Sequence, residues 1–288
     1  MHHWRSLLYV PAHVEKFVGR AHERGADAII LDLEDSVPEA QKPAARAALA
    51  GAVPLVRQRG AGVIVRINRP LDLAVRDVEA AVIPGVDVLA VTKTEGPEHL
   101  RLMNELIGRI EAARGMPVGG IGILAVVEDP GALSRAHAIA ASPRVVMMTL
   151  GGEDYATALR GEPTEDVLLL PKQQIIQAAR AHDVAPYGVI GTLAAFGDLP
   201  AYAAMVRRSV AFGFAGASCV HPAQVPVLND AFSPSSDQVA EARRIVAAAR
   251  DAAVKGLGAV AVDGRMVDKP IVERAEALLE RAARYQTG

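Results

Sequence analysis

The chain has 288 residues, of which 51% are hydrophobic, and its 31 Lys plus Arg against 33 Asp plus Glu give a formal net charge of −2. This balance and an aromatic content of only 4% argue against a nucleic-acid partner, which needs a basic surface or stacking side chains. The single cysteine, Cys219, excludes an intrachain disulfide and fits a reducing compartment, so we expect a cytoplasmic protein. No apolar run reaches the roughly 18 residues of a membrane span, so no membrane partner is expected.

Eight short apolar runs alternate with longer segments of helical period along the chain. Several of the runs show almost no polar alternation, which is typical of strands covered on both faces of a parallel sheet. The predicted strands are Ser6–Val10, Ala28–Leu33, Val63–Ile67, Val86–Thr92, Gly120–Val127, Arg144–Leu150, Pro186–Ile190 and Ala215–Val220. The predicted helices include Val14–Arg24, Pro43–Gln58, Glu98–Arg114, Ala132–Ala140, Glu165–His182 and Leu199–Phe212.

This alternation favours a closed (β/α)8 TIM barrel, because an open doubly wound sheet usually has five or six strands. The Rossmann-like alternative lacks its fingerprint, since the glycine cluster at Gly119–Gly122 stands where a strand begins rather than where one ends. After Val220 the pattern predicts two extra helices, Gln224–Phe232 and Asp237–Lys255, and a final helix from about Ile271. We therefore assign residues 1–255 to the barrel with its extra helices and residues 256–288 to a C-terminal helical extension.

Polar side chains follow most of the predicted strands at their carboxyl ends, where TIM-barrel enzymes carry their active sites. Paired acids flanked by an arginine and a lysine predict a Mg²⁺ site, because this ion is held by one or two carboxylates plus substrate oxygens and water. Zinc fits less well, since the histidines show no metal-binding pair spacing. The strand-end groups are Asp32–Asp35, Arg66, Asn68, Lys93, Glu128–Asp129, Glu153–Asp154 and His221.

Among the paired acids, Glu128 and Asp154 are the favoured functional groups. Asp129 and Glu153 are better explained as charges at helix starts, where they stabilise the first turn. Cys219 and His221 lie two residues apart with no orienting acid nearby, so we interpret them as a buried apolar side chain and a loop hydrogen bonder rather than a nucleophile and its base.

Seven motifs, in this order and spread over nearly the whole chain, resemble those of the citrate lyase β-subunit-like family within the HpcH/HpaI aldolase superfamily. They are RSLLYVP at 5–11, DLEDSV at 32–37, VRIN at 65–68, VE at 127–128, LGGEDY at 150–155, HPAQ at 221–224 and DGRMVDKP at 263–270.

The resemblance implies a Mg²⁺-dependent lyase, with Mn²⁺ as a substitute ion, that cleaves or forms a 3-hydroxyacyl-CoA thioester such as malyl-, citramalyl- or citryl-CoA. The products of cleavage are a 2-oxo acid and an acyl-CoA. Glu128 and Asp154 resemble the metal ligands of the family, and Arg66, with Glu128, its substrate-binding residues. Arg5 falls in a segment near the CoA phosphates. Asp268 resembles the acid that exchanges a proton with the enolate, supplied by a neighbouring subunit of a homotrimer or hexamer.

Two departures from the family pattern leave the substrate open, namely Glu128-Asp129 in place of Glu-Thr and Thr92-Lys93 in place of Pro-Lys. Two other functions also stay open at this point: an aldolase that acts on a free acid without CoA, and an accessory subunit of a citrate lyase complex. The segment Gly264–Pro270, which contains Asp268, favours a lyase that acts alone.

Overall fold

The computed structural model of the protein describes residues 3–192, 197–254 and 256–285. Its strands are β1 Ser6–Pro11, β2 Ala28–Asp32, β3 Gly62–Ile67, β4 Val88–Val91, β5 Gly122–Val127, β6 Val145–Leu150, β7 Ala185–Tyr187, β8 Ala217–Cys219, β9 Val260–Val262 and β10 Arg265–Val267. Its helices are α1 Glu15–Ala21, α2 Lys42–Val56, α3 Leu71–Ala81, α4 Pro97–Ala113, α5 Pro130–Leu133, α6 Ala136–Ala140, α7 Gly152–Leu159, α8 Glu165–Ala181, α9 Leu199–Phe212, α10 Gln224–Phe232, α11 Ser236–Val254 and α12 Lys269–Tyr285.

Strands β1 to β8 form one parallel sheet in the order β7-β6-β5-β4-β3-β2-β1-β8. The sheet closes between β7 and the residues just before β8, where Tyr187 forms a parallel bridge with Gly216. The amide of Gly188 donates to the Gly216 carbonyl at 2.9 Å, and the amide of Ala215 donates to the Pro186 carbonyl at 2.8 Å. The predicted TIM barrel is therefore confirmed.

Alternate side chains of each strand point into the barrel, because side chains along a strand alternate between its two faces. The residues between them face the surrounding helices and are buried as well, which explains why the strands lack polar alternation. The interior core consists of Leu7, Ala28, Ile30, Ile64, Val88, Ala90, Leu124, Val126, Met147, Ala185 and Tyr187.

Several elements differ from their predicted bounds. Strand β7 stops at Tyr187, since Gly188 adopts a positive φ of 146° and turns the chain away, although the apolar Val189 and Ile190 remain buried. The helix predicted over Ala132–Ala140 is split into α5 and α6, and the predicted set lacks α3 and α7. Helix α7 begins at a Gly-Gly pair, which resembles a turn in the sequence. The predicted helix end at Lys255 lies outside the described residues.

The chain forms two compact units, one up to Asn229 and a second from Asp230. The second unit begins earlier than the extension predicted from residue 256, because α11 packs against α12 around Ala242, Val246 and Ala275. It also contains an antiparallel hairpin of β9 and β10, joined at Asp263 and Gly264, which both have positive φ. An Asp-Gly pair between two apolar runs is the sequence signal for such a hairpin. Within the described ranges no helix combines the length and apolar content that crossing a membrane needs.

Candidate active site at the carboxyl ends of the strands

The inward-facing rows of three strands end in, or are continued by, polar side chains. In β2 the row runs from Ile30 to Asp32, and in β3 it runs from Ile64 to Arg66. Glu128 continues the row of Val126 in β5. Because side chains two residues apart share one face of a strand, Asp32, Arg66 and Glu128 converge at the carboxyl-terminal mouth of the barrel.

Arg66 is surrounded by acids at this mouth. Its Nε and Nη2 donate to the two oxygens of Asp32 at 2.6 and 2.7 Å. Its Nη1 lies 3.0 Å from Glu34 Oε2 and 3.2 Å from Asp35 Oδ2. The guanidinium also lies over the ring of Tyr9, 4.8 Å from the ring centre. The orientation of the Arg66 side chain is thus fixed from two directions.

These contacts shift the ionisation of the groups involved. Burial favours the neutral form of Asp32, but hydrogen bonds and charge from Arg66 outweigh it and lower the pKa of that carboxyl. Burial raises the pKa of Tyr9 to about 12, so its hydroxyl is neutral beside Arg66 at neutral pH. Burial also raises the pKa of Glu34 despite the nearby cations Arg66 and Lys93.

Glu128 is a buried carboxyl group held by backbone on two sides. The amide of Lys93 donates to its Oε2. Gly151 leaves room for it, since a Cβ built on that glycine would lie 2.6 Å from both Cγ and Oε1 of Glu128. Burial raises the pKa of Glu128 to about 8; Lys93 opposes this rise, and the negative charges of Glu34 and Asp154 add to it.

Lys93 and Asp154 complete the charged group. Lys93 Nζ lies 2.8 Å from Glu34 Oε1, and its residue adopts a left-handed backbone with φ of 46°, directly after β4. Asp154 lies in the first turn of α7, directly after β6, and its charge acts on both Glu128 and Lys93. Strands β5 and β6 are neighbours, so Glu128 and Asp154 follow adjacent strand ends, as the sequence predicts.

The other polar residues near these strand ends, and Cys219, have structural roles, as predicted. Asp129 caps α5, where its Oδ1 accepts hydrogen bonds from the amides of Gly131 and Ala132 at 2.8 and 3.0 Å. Glu153 accepts a hydrogen bond from the Thr192 hydroxyl. His221 Nδ1 accepts from the Ala223 amide at 3.1 Å, in the loop after β8. Cys219 is fully buried, and burial raises its pKa to about 12, which leaves the thiol unreactive.

The donor set of this site suits Mg²⁺. The described residues contain no cluster of three or more His, Cys, Asp or Glu that could hold a metal, which argues against an all-protein metal cage. Two carboxyl groups, Glu128 and Asp154, are what Mg²⁺ requires when a substrate and water supply the other oxygens. Burial is the main cause of the raised pKa of Glu128, and the charge and backbone amide of Lys93 offset it only in part.

Two further residues of the predicted site, Arg5 and Asp268, make defined local contacts. Arg5 precedes β1, at the opposite end of the strands from Glu128, and pairs with Asp27 through Nε and Nη2 at 2.8 and 2.7 Å. The predicted role of Arg5 near the CoA phosphates stays a prediction. Asp268 lies in the second unit, where its carbonyl accepts hydrogen bonds from the amides of Ile271 and Val272 at the start of α12.

Tyr9 is missing from the predicted site, and Glu34 and Lys93 are predicted only as strand-end charges without a specific contact. Tyr9, Glu34 and Lys93 all contact Arg66 or Glu128 directly or through one another. Tyr9 has a usable signal, since it lies two residues after the inward-facing Leu7 of β1. Glu34 and Lys93 follow strand ends in loops, where strand alternation no longer predicts the side-chain direction.

Comparisons with known proteins agree with this geometry. The model of the HpcH/HpaI aldolase/citrate lyase family matches residues 5–222. The chain is 36% identical over 285 residues to the citrate lyase subunit beta of Escherichia coli K12, with 96% of this chain and 93% of that protein covered. It is 31% identical over 303 residues to the L-malyl-CoA/beta-methylmalyl-CoA lyase of Rhodobacter capsulatus, with 96% and 94% covered.

A solved structure is also similar. The crystal structure of CitE from Mycobacterium tuberculosis, in complex with magnesium, acetoacetate and coenzyme A, has a TM-score of 0.78 at 33% identity, with 96% of this chain and 97% of that chain covered. The chain therefore belongs to the HpcH/HpaI aldolase/citrate lyase family, as its motifs predicted. The expected enzyme class, a lyase, is confirmed by both relatives.

The close approach of Gly151 to Glu128 yields a prediction. Gly151→Ala should weaken Mg²⁺ binding about tenfold or more, because the new methyl group would displace a ligand that must hold octahedral geometry. Gly151 has a φ of −75°, so the backbone itself accepts alanine. Gly161→Ala is the matched control, since a Cβ there meets nothing within 4 Å. Calorimetric titration with Mg²⁺ measures both; equal affinities for the two variants would remove Glu128 from the metal site.

Proposed function

We propose that the chain is a Mg²⁺-dependent carbon–carbon lyase that cleaves, or forms in reverse, a 3-hydroxyacyl-CoA thioester such as malyl-, citramalyl- or citryl-CoA. The products are a 2-oxo acid and an acyl-CoA. The observation that carries the proposal is the buried Glu128, on which the charges of Asp154, Glu34 and Lys93 act, at the carboxyl ends of the strands of a TIM barrel. The related enzyme that acts on malyl-CoA and the related structure with magnesium and coenzyme A support it.

Glu128 and Asp154 would hold Mg²⁺, or Mn²⁺ in its place. When bound, the ion stabilises the negative charge that develops on the substrate hydroxyl oxygen as the carbon–carbon bond breaks. The backbone amide of Lys93 and the space beside Gly151 keep the Glu128 carboxylate in place for this role. The Lys93 ammonium, 2.8 Å from Glu34, adds a positive charge at the same mouth.

Arg66 would bind the carboxylate of the 2-oxo acid through its Nη1 side. Asp32 accepts hydrogen bonds from both Nε and Nη2, so this edge of the guanidinium is already used within the protein. Nη1 faces Glu34 and Asp35. The Asp35 side chain is 59% exposed, so a substrate carboxylate can displace it into water at little cost.

Asp268 would donate the proton that the departing thioester enolate needs. The residue lies directly before α12, after a hairpin turn at Asp263 and Gly264, on a segment that can reach beyond its own subunit. We therefore propose a homotrimer or hexamer in which Asp268 of one subunit serves the barrel of another. A carboxylic acid transfers its proton effectively when partial burial brings its pKa toward neutrality.

A second candidate function is that of a subunit in a citrate lyase complex. The observation in its favour is the 36% identity to a citrate lyase subunit beta over 96% of the chain. In that case the catalytic barrel would be the same, but it would need partner subunits for its activity.

An assay of the purified chain with Mg²⁺ tests the proposal. We expect turnover of at least one of malyl-, citramalyl- and citryl-CoA, loss of it with a chelator, and loss of it in Asp154→Asn with the fold intact. Asp129→Asn is the matched control, because asparagine caps a helix as well as aspartate does and activity should persist. Turnover of the free acids alone would indicate a CoA-free aldolase, and turnover only with added partner subunits would indicate the complex.

The role of Asp268 has its own test. Asp268→Asn should bind Mg²⁺ and 2-oxo acid normally but fail in cleavage, because it loses only the transferable proton. Co-expression with Asp154→Asn should restore part of the activity, since some interfaces would then join an intact metal site to an intact acid. No recovery in verified mixed oligomers would mean that Asp268 serves its own barrel or none.

A further inference from the structure

Lys42 is a buried cation that the proposed reaction does not use. It is the first residue of α2 and is 8% exposed. Its Nζ donates to the carbonyls of Leu33 and Glu34 at 3.2 and 3.1 Å and to Asn68 Oδ1 at 2.6 Å. An ammonium group has three N–H donors, so each has an acceptor, and none of these acceptors is a carboxylate.

The Asn68 side chain that faces Lys42 is itself fixed. Asp77 Oδ2 accepts hydrogen bonds from the backbone amide of Asn68 at 2.8 Å and from its side-chain Nδ2 at 2.6 Å. The same Nδ2 also donates to the Leu33 carbonyl at 2.7 Å. With Nδ2 committed to two acceptors, Oδ1 must point to Lys42. Asp77 is fully buried and is held from its other side by Arg46 Nη1 at 2.9 Å.

The turn bonded by Lys42 carries the acids of the candidate active site. The Glu34 carbonyl accepts from Lys42 and also from the Val37 amide at 3.0 Å, which closes the turn. The Glu34 side chain lies beside Lys93 and Arg66, and Asp35 lies beside Arg66 Nη1. The backbone position of this turn therefore determines which acids face Arg66 Nη1.

Lys42 fixes the geometry of this turn more than it stabilises the folded protein. Burying an ammonium group away from any carboxylate costs folding free energy, and carbonyl acceptors offset that cost only in part. An apolar side chain of similar length would avoid the cost, but it could not bond Leu33, Glu34 and Asn68 together. No apolar contact would fix the direction of the Glu34 carbonyl.

We propose that Lys42 is a positioning residue for the 2-oxo acid site. By fixing the turn at 33–37, it holds Glu34 and Asp35 against the Nη1 side of Arg66 and so sets the affinity for the substrate carboxylate. The proposal rests on the proposed function for its ligand. The placement of the turn itself is independent of which reaction the enzyme performs.

Lys42→Met tests the proposal, with Arg46→Met as its matched control. Arg46 bonds the same network through Asp77 but does not contact the turn, so each variant removes one cation from the network. We expect KM for the 2-oxo acid in the condensation direction to fall about tenfold in Lys42→Met, because Glu34 and Asp35 would no longer be held where they compete with the substrate carboxylate, with kcat changed less, and to stay within about twofold in Arg46→Met. Lys42→Arg should return KM part of the way to the wild-type value.

Hydrogen exchange gives a readout that needs no activity. Amides of the turn are hydrogen-bonded, for example Glu34 to Asp32 Oδ1 at 2.9 Å, so exchange across 33–37 should speed up about tenfold in Lys42→Met and not in Arg46→Met. If Lys42→Met does not fold, Asn68→Ala removes the shortest bond to Lys42 and should shift KM and exchange in the same direction.

Equal KM values and equal exchange in Lys42→Met and Arg46→Met would overturn the proposal. If the wild-type chain neither binds nor turns over a 2-oxo acid, the proposed function fails, whereas the exchange comparison still decides whether Lys42 holds the turn. Faster exchange with an unchanged KM would overturn the link between the turn and substrate affinity.

Discussion

Asp32 and Arg66 face each other as register partners on neighbouring strands β2 and β3, inside a barrel whose walls are apolar. Either charge left alone in this position would cost several kcal/mol of folding free energy, so each side chain requires the other. The two-point contact and the Tyr9 ring below fix the plane of the guanidinium. What remains for chemistry is the Nη1 side, which opens toward the barrel mouth.

The charges at this mouth do not balance within the described residues. Five carboxyl groups surround two cationic side chains, Arg66 and Lys93. The carboxyl groups are those of Asp32, Glu34, Asp35, Glu128 and Asp154. Burial raises the pKa of both Glu34 and Glu128, that of Glu128 to about 8. A divalent cation held by Glu128 and Asp154 would compete with a proton for the Glu128 carboxylate.

The sequence predicts the barrel and part of its site because both follow from strand alternation. Arg66 and Glu128 extend inward-facing rows, so their convergence follows from the strand pattern. The hydrogen bond from the Lys93 amide to Glu128 could not be predicted from strand alternation. It depends on the left-handed backbone of Lys93 and joins residues that are far apart in the sequence. In the sequence, Lys42 resembles an ordinary residue at a helix start. Its bonds to the turn at 33–37 and to Asn68 become apparent only in the folded structure.

We propose that Glu128 and Asp154 hold one divalent ion at the mouth of the barrel. A crystal structure with Mn²⁺ in place of Mg²⁺, located by its anomalous scattering, tests this. We expect one manganese peak within about 2.2 Å of a carboxylate oxygen of each residue, with water or 2-oxo acid oxygens in the remaining positions. A peak bound elsewhere, or carboxylates more than roughly 7 Å apart with no ion between them, would contradict it.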